Sequence, residues 1–254
     1  MANRNKEALL KYISDLNFQI ESLGVKEEVT QSFPVKFLYF HGLERLYQSV
    51  NTIILIIRGK PFDHGHALGL VMRNIISDFL ILAYIYHKPK GEEERTDLAY
   101  DLYRSDIATN DRYIDYAYKN GMLNEEMYNN YKNLHTGDGS LIKLIKDSSS
   151  NMRFATMKEI SEYFISLGES DIIASLVVKA YDYWALFSKN EHIGWNSYNF
   201  TRPVNNSMLV QWVYTVIDYI VTSTLLCCDI LEEKEKAISI NDAFREFRKQ
   251  SNEG

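Results

Sequence analysis

Leu68-Gly69-Leu70-Val71-Met72-Arg73-Asn74-Ile75-Ile76-Ser77-Asp78-Phe79-Leu80-Ile81 is an apolar run interrupted by two polar pairs. In a helix, a spacing of four puts Arg73 one turn from Ser77 and Asn74 one turn from Asp78. The rest of the circumference is aliphatic or aromatic. Such a helix belongs in the middle of a helical assembly, not on its surface. Arg73 and Asp78 are five residues apart and make poor partners on one helix, so each must look to a neighbouring helix for compensation. An unpaired buried charge is too costly to leave alone.

The preceding segment offers partners. His41, Glu44, Arg45, Gln48 and Thr52 recur at helical spacing on one face. If the two segments form an antiparallel hairpin, Glu44 or Gln48 is positioned to meet Arg73. One reading is a structural network that fixes the register of the bundle. The other is a ligand or catalytic site, because costly buried charges concentrate at functional sites. The second reading makes His41, Glu44, Gln48, Asn74 and Asp78 binding candidates.

Helix punctuation extends outward from this pair. Asn5 to Leu23 is amphipathic, with Leu9, Leu10, Ile13, Leu16 and Ile20 on one stripe, and stops at Gly24. Pro34 suits a first helical turn, and that helix runs to about Ile57. Asp63 is placed to cap a helix from about His64 to His87. Further helices are expected from about Glu92 to Asn120, after Asn124, from Met157 to Leu167, from Ser170 to about Ser188 and from Ser207 to Leu231. A charged tail helix is expected over Asn241 to Lys249. Residues 135–150, rich in Gly, Asp and Ser, are the best loop candidate. Four prolines and twelve glycines in 254 residues are too few for the many turns of an all-β chain. No stretch alternates with period two. The fold class is therefore all-α: one multi-helix bundle over residues 1–254.

Composition narrows the function classes. A net charge of −6 argues against a broad non-specific nucleic-acid surface and leaves room only for a local basic patch. The only cysteines, Cys227 and Cys228, are adjacent within an apolar run, which fits a reducing compartment. Met1-Ala2-Asn3-Arg4-Asn5-Lys6 carries no signal-peptide apolar block. His66 to Tyr86 and Met208 to Leu231 are apolar enough to raise the question of a membrane. Arg73 and Asp78 in the first, and Gln211, Asp218 and Asp229 in the second, favour core helices of a bundle. A cytoplasmic location without membrane insertion is expected.

A second segment, Tyr183-Trp184-Ala185-Leu186-Phe187-Ser188-Lys189-Asn190-Glu191-His192, ends a helix with Ser188 and His192 four apart. That spacing admits a Ser–His pair, but no oxyanion donors or orienting acid accompany it. His192 is better read as part of a pocket, with Ser188 and Glu191 beside it. In Asp63-His64-Gly65-His66 the histidines are only two apart, not the four that helical metal sites prefer, so no metal is expected. No P-loop, Gly-rich dinucleotide turn, Cys-x-x-Cys or His-Glu-x-x-His is present, and no cofactor is expected.

Taken together, these two segments resemble a group of uncharacterised bacterial helical proteins. That group carries a Leu-Arg-x-x-x-Glu helix followed much later by a Leu-Ser-x-x-x-His element. Val71-Met72-Arg73-Asn74-Ile75-Ile76-Ser77-Asp78 looks like the first and Phe187-Ser188-Lys189-Asn190-Glu191-His192 like the second. The stretch from Met157 through Gly168 also fits, so the resemblance covers roughly residues 40 to 200. It departs at Ser77, where the acid would stand; Asp78 is displaced by one. The group is similar to the HEPN-like helical class, many of whose members are RNases of toxin and antiphage systems. The resemblance thus implies a HEPN-like bundle, with RNA as substrate and Arg73 and His192 as catalytic residues. Arg58-Gly59-Lys60-Pro61-Phe62-Asp63-His64 matches the Arg-to-His spacing of those RNases, but Pro61 forces a turn where their motif is helical.

Two functions follow as expectations. The chain is a helical binding or regulatory protein, able to form homo-oligomers, whose polar cluster is structural or holds a small ligand. The alternative is a metal-independent RNase of the HEPN-like kind. A membrane-associated helical protein is a third, weaker reading.

Overall fold

The computed structural model describes residues 2–23, 34–59, 65–134, 153–168, 171–188 and 206–252. Among these residues the chain is all-α, a multi-helix bundle. The helices are α1 (Ala2–Ser22), α2 (Pro34–Arg58), α3 (Gly65–His87), α4 (Glu92–Lys119), α5 (Glu125–Leu134), α6 (Met157–Leu167), α7 (Ile172–Phe187), α8 (Asn206–Ile230) and α9 (Lys234–Asn252).

Local chemistry sets most of the ends. Pro34 opens α2, where its missing N–H costs nothing. The Asn124 side chain accepts from the Met127 N–H, and that of Asp171 accepts from Ala174 N–H, so α5 and α7 start on side-chain caps. Gly121 and Gly168 take φ of +70° and +82° just beyond α4 and α6, a conformation that favours glycine. The tail helix is longer than its sequence pattern suggests. Glu232 reverses the chain with φ of +64°, and α9 begins two residues later. Asp63, the expected cap of α3, lies outside the described residues.

The chain divides into two compact units. The first comprises Met1–Lys26, Tyr39–Tyr84 and Met157–Gly254; the second comprises Glu27–Leu38 and Ile85–Thr156. The 135–150 stretch thus falls inside the second unit's span, and the helices after it belong with the N-terminal ones.

In the first unit, α3 and α8 form the centre. Leu68, Met72, Ile75, Ile76, Phe79 and Leu80 on α3 are fully buried, as are Val213, Val216, Ile217 and Ile220 on α8. Phe79 stacks on Tyr219, with centroids 5.2 Å apart. Leu9, Ile13, Leu16 and Ile20 bury one stripe of α1. Phe247 of α9 stacks between Tyr12 and Tyr214, at 4.1 and 5.6 Å. Burial of such aromatic faces is what joins α1, α8 and α9. Gly65–His87 and Val210–Ile230 are long and apolar enough to cross a membrane by length and composition. In each, 61% of the apolar window is buried within the protein.

In the second unit, α4 and α5 pack through Tyr118 and Tyr128, whose rings stack at 4.3 Å. Lys132 reaches Asp115 at 2.9 Å and Asp111 at 3.5 Å. The Ser105 hydroxyl accepts from Phe154 N–H, and the Tyr103 hydroxyl donates to Pro34 C=O.

Candidate functional site

The pairing of α2 with α3 positions the central polar residues. The Tyr39 hydroxyl donates to Leu82 C=O at 2.8 Å, and six residues further along α2 Arg45 meets Asp78 of α3. The contacts advance on one helix as they retreat on the other, so the two helices run antiparallel. Gly42 lies between them. A Cβ there would sit 3.2 Å from Leu82 Cδ1, so the absent side chain is what lets the helices approach.

Arg45 holds Asp78 with two bonds. Nε donates to Oδ2 at 3.0 Å and Nη2 to Oδ1 at 3.1 Å. The planar fork of arginine suits this two-point grip on a carboxylate. The Asp78 side chain is 15% exposed and that of Arg45 50%, so the pair spans from the interior to the surface. Burial raises the Asp78 carboxyl above its ordinary value, while the bonds and charge of Arg45 and the nearby His41 pull it back down. Just beneath, Cys227 is fully buried, and its thiol donates to Tyr39 C=O at 3.5 Å. Burial pushes that thiol well above its ordinary range and the Cys228 thiol up to about 11.

Glu44 and Gln48 turn away from this pair. Glu44 lies 3.5 Å from His41 Nδ1, both about half exposed. Glu44 and Gln48 also line a cleft of about 290 Å³ between α1 and α2, with Ile20, Glu21, Phe40, Leu43 and Tyr47. The Tyr47 hydroxyl donates to Glu21 Oε1 at 3.1 Å, fixing one carboxylate and one ring of the wall. Ile20 and Leu43 are buried beneath them. Two carboxylates beside two aromatic rings over an aliphatic floor present a negative surface with π faces. Such surroundings attract an organic cation through charge and cation–π contact.

Arg73 goes to a different neighbour. Its guanidinium lies over the Trp184 ring of α7, 5.6 Å from the centroid. Trp184 also stacks on Tyr181, and its indole Nε1 is buried without a hydrogen-bond partner among the described residues. Ser188 follows one turn later, and its hydroxyl donates back to Ala185 C=O at 2.8 Å. That bond reads as helix-end chemistry, with the hydroxyl proton committed to the backbone. Glu191 and His192 lie outside the described residues.

The residues singled out in the sequence therefore separate. Asp78 joins His41 and Arg45; Glu44 and Gln48 join the α1 cleft; Arg73 joins the helix that carries Ser188. Asn74 is exposed on α3. Asp78 finds its partner in Arg45 of the expected α2 face, one residue along from Glu44. Glu21, Phe40 and Tyr47 escaped the sequence reading. Phe40, Leu43 and Tyr47 do recur at helical spacing on α2, but nothing in that pattern marks them as facing a cleft. Among the described residues, no three His, Cys, Asp or Glu side chains converge as metal ligands. Comparison with family models, with curated proteins and with solved structures finds no match for this chain.

Proposed function

We propose that this chain is a helical binding or regulatory protein that takes up an organic cation in the cleft between α1 and α2. One observation carries this reading: Glu21 and Glu44 stand beside the Phe40 and Tyr47 rings around about 290 Å³ of open space. A protonated amine or guanidinium there would gain two charge contacts and two ring faces, while its aliphatic part covers Ile20 and Leu43. The Arg45–Asp78 pair plays the positioning part, because it fixes α2 against α3 and leaves Glu44 for the cleft.

The test is a titration of spermidine followed by amide NMR, with citrate as the anionic control. Spermidine should shift the resonances of Glu21, Phe40, Glu44 and Tyr47, and citrate should not. Shifts spread evenly over the acidic surface would reject the cleft.

A second reading is the metal-independent HEPN-like RNase of a toxin or antiphage system. What favours it is the position of Arg73 against α7, one turn before Ser188 in a segment that continues to His192. Arginine would hold a phosphate and histidine would move a proton near neutral pH. Metal-independent RNA cleavage by purified protein, lost in both Arg73→Ala and His192→Ala while folding is kept, would establish it. No cleavage from acidic to alkaline pH would leave the binding protein.

Both readings place the protein in the cytoplasm of a bacterial cell, free of membrane. The charges in the middle of α3 and the buried unpaired thiols support that placement. Recovery in the detergent-free supernatant tests it, and partition into the membrane pellet would refute it.

A further inference from the structure

Three hydrogen bonds set the register of α1 against α2. Arg58 Nη2 donates to Ser14 Oγ at 3.2 Å, Asn17 Nδ2 to Asn51 Oδ1 at 2.8 Å, and the Tyr47 hydroxyl to Glu21 Oε1 at 3.1 Å. As α1 advances α2 retreats, so the two helices run antiparallel. Phe18 stands four residues after Ser14 and three before Glu21, and Leu55 four after Asn51 and three before Arg58. Each therefore shares a helix face with residues that reach across to the other helix. Yet Phe18 is 71% exposed and Leu55 69%. They flank the α1–α2 seam on its solvent side. Among the described residues, no other large apolar side chain of these two helices is exposed.

The acidic cleft lies on the same line. Glu21 is one turn from Phe18. Gln48, the last cleft residue on α2, is seven residues from Leu55, or about 10 Å along the helix. From the cleft outward, a ligand lying in the seam meets two carboxylates, then two apolar side chains, then Arg58. The guanidinium at the far end would repel a second positive group there. That order fits a molecule with one cationic head and an apolar tail better than a chain charged along its length.

We propose that the ligand of the cleft is an amphiphilic cation. Its protonated amine or guanidinium head is held by the carboxylates of Glu21 and Glu44, and its unbranched aliphatic tail lies along the seam over Phe18 and Leu55. A tail spanning about 10 Å has about eight carbons. This proposal rests on the cation-binding reading of the cleft and narrows the ligand class that the cleft accepts.

Titration of n-butylamine, n-hexylamine and n-octylamine into the full chain, followed by amide NMR, tests it. Octanoate is the control of opposite charge, and spermidine is the control without an apolar tail. Complete burial of a methylene raises affinity about fourfold, so a seam open on one side should give about twofold per methylene. Octylamine should also shift Phe18 and Leu55, which butylamine is too short to reach. Phe18→Gln combined with Leu55→Gln should flatten the series, leave spermidine binding as it was and keep the thermal melt unchanged, since both sites are exposed. A flat series in the wild type, a series that survives the paired glutamines, or octanoate binding as tightly as octylamine would each overturn the proposal while leaving the cleft a cation site. A protein that binds no amine, spermidine included, would refute the cleft itself and this proposal with it.

Discussion

Arg45 and Asp78 hold one another by two hydrogen bonds across the antiparallel α2–α3 pair, at 3.0 and 3.1 Å. The two ends of the pair differ in depth. The carboxylate is largely covered and the guanidinium is half in water. Losing one partner is therefore not equivalent to losing the other. Arg45→Met leaves a largely buried carboxylate alone and should cost about 2–3 kcal/mol. Asp78→Asn leaves a guanidinium that water can reach and should cost less than about 1 kcal/mol. Urea unfolding of both variants measures the difference; equal costs would mean that the pair is solvated at both ends.

The same carboxylate sets a pH dependence. Its affinity for a proton is higher in the native protein than in the unfolded chain, because burial raises it above 3.8 and Arg45 and His41 only partly oppose this. Its contribution is then fully present below the unfolded value and is lost as pH rises through the raised native one. On acidification from about pH 7 to about pH 4.5, wild type should gain stability relative to Asp78→Asn. A relative loss would mean that the arginine, not burial, governs the group.

Gly42 permits the close approach of α2 to α3, with Leu82 Cδ1 and Cδ2 at 3.2 and 3.3 Å from where a Cβ would stand. Gly42→Val should destabilise by about 1–3 kcal/mol through overpacking. In Gly42→Ala, a gain in helix propensity of about 1 kcal/mol opposes a contact that a small turn of Leu82 relieves. That variant should lie within about 1 kcal/mol of wild type. Thermal melts of the pair of variants separate the two effects.

Cys227 and Cys228 are both fully buried, and burial holds both thiols protonated. The reactive form is the thiolate, so neither should react with a soluble disulfide reagent in the folded protein. Both should react promptly in denaturant. Rapid labelling of the native chain would show that the α8 interior opens.

Much of the architecture is legible in the residues themselves. Pro34, Gly121, Gly168, Asn124 and Asp171 mark helix ends because each does a local job of capping or turning. The apolar circumference of α3 announces its central place. The extent of α9 was less legible: Lys234-Glu235-Lys236 is charged and Ile238 is 63% exposed, so no apolar stripe announces the first turns, and the buried residues of the helix begin at Ile240. The site was half legible. That Asp78 needed a partner on α2 follows from the cost of burying charge. That the partner is Arg45 depends on helix rotation and register, and one residue along α2 turns a side chain by about 100°. The cleft residues Glu21 and Tyr47 sit 26 residues apart on different helices, and no spacing rule within one helix connects them. Arg73 reaches Trp184 across a still longer separation, for the same reason.

The most direct measurement is calorimetric titration of spermidine into the wild type and into the Glu21→Gln, Glu44→Gln double variant at low and high salt. Binding by the wild type to a single site, lost in the double variant while its unfolding transition is unchanged, is the predicted result. Equal binding by both proteins, or none by the wild type, would contradict a cation-binding cleft between α1 and α2.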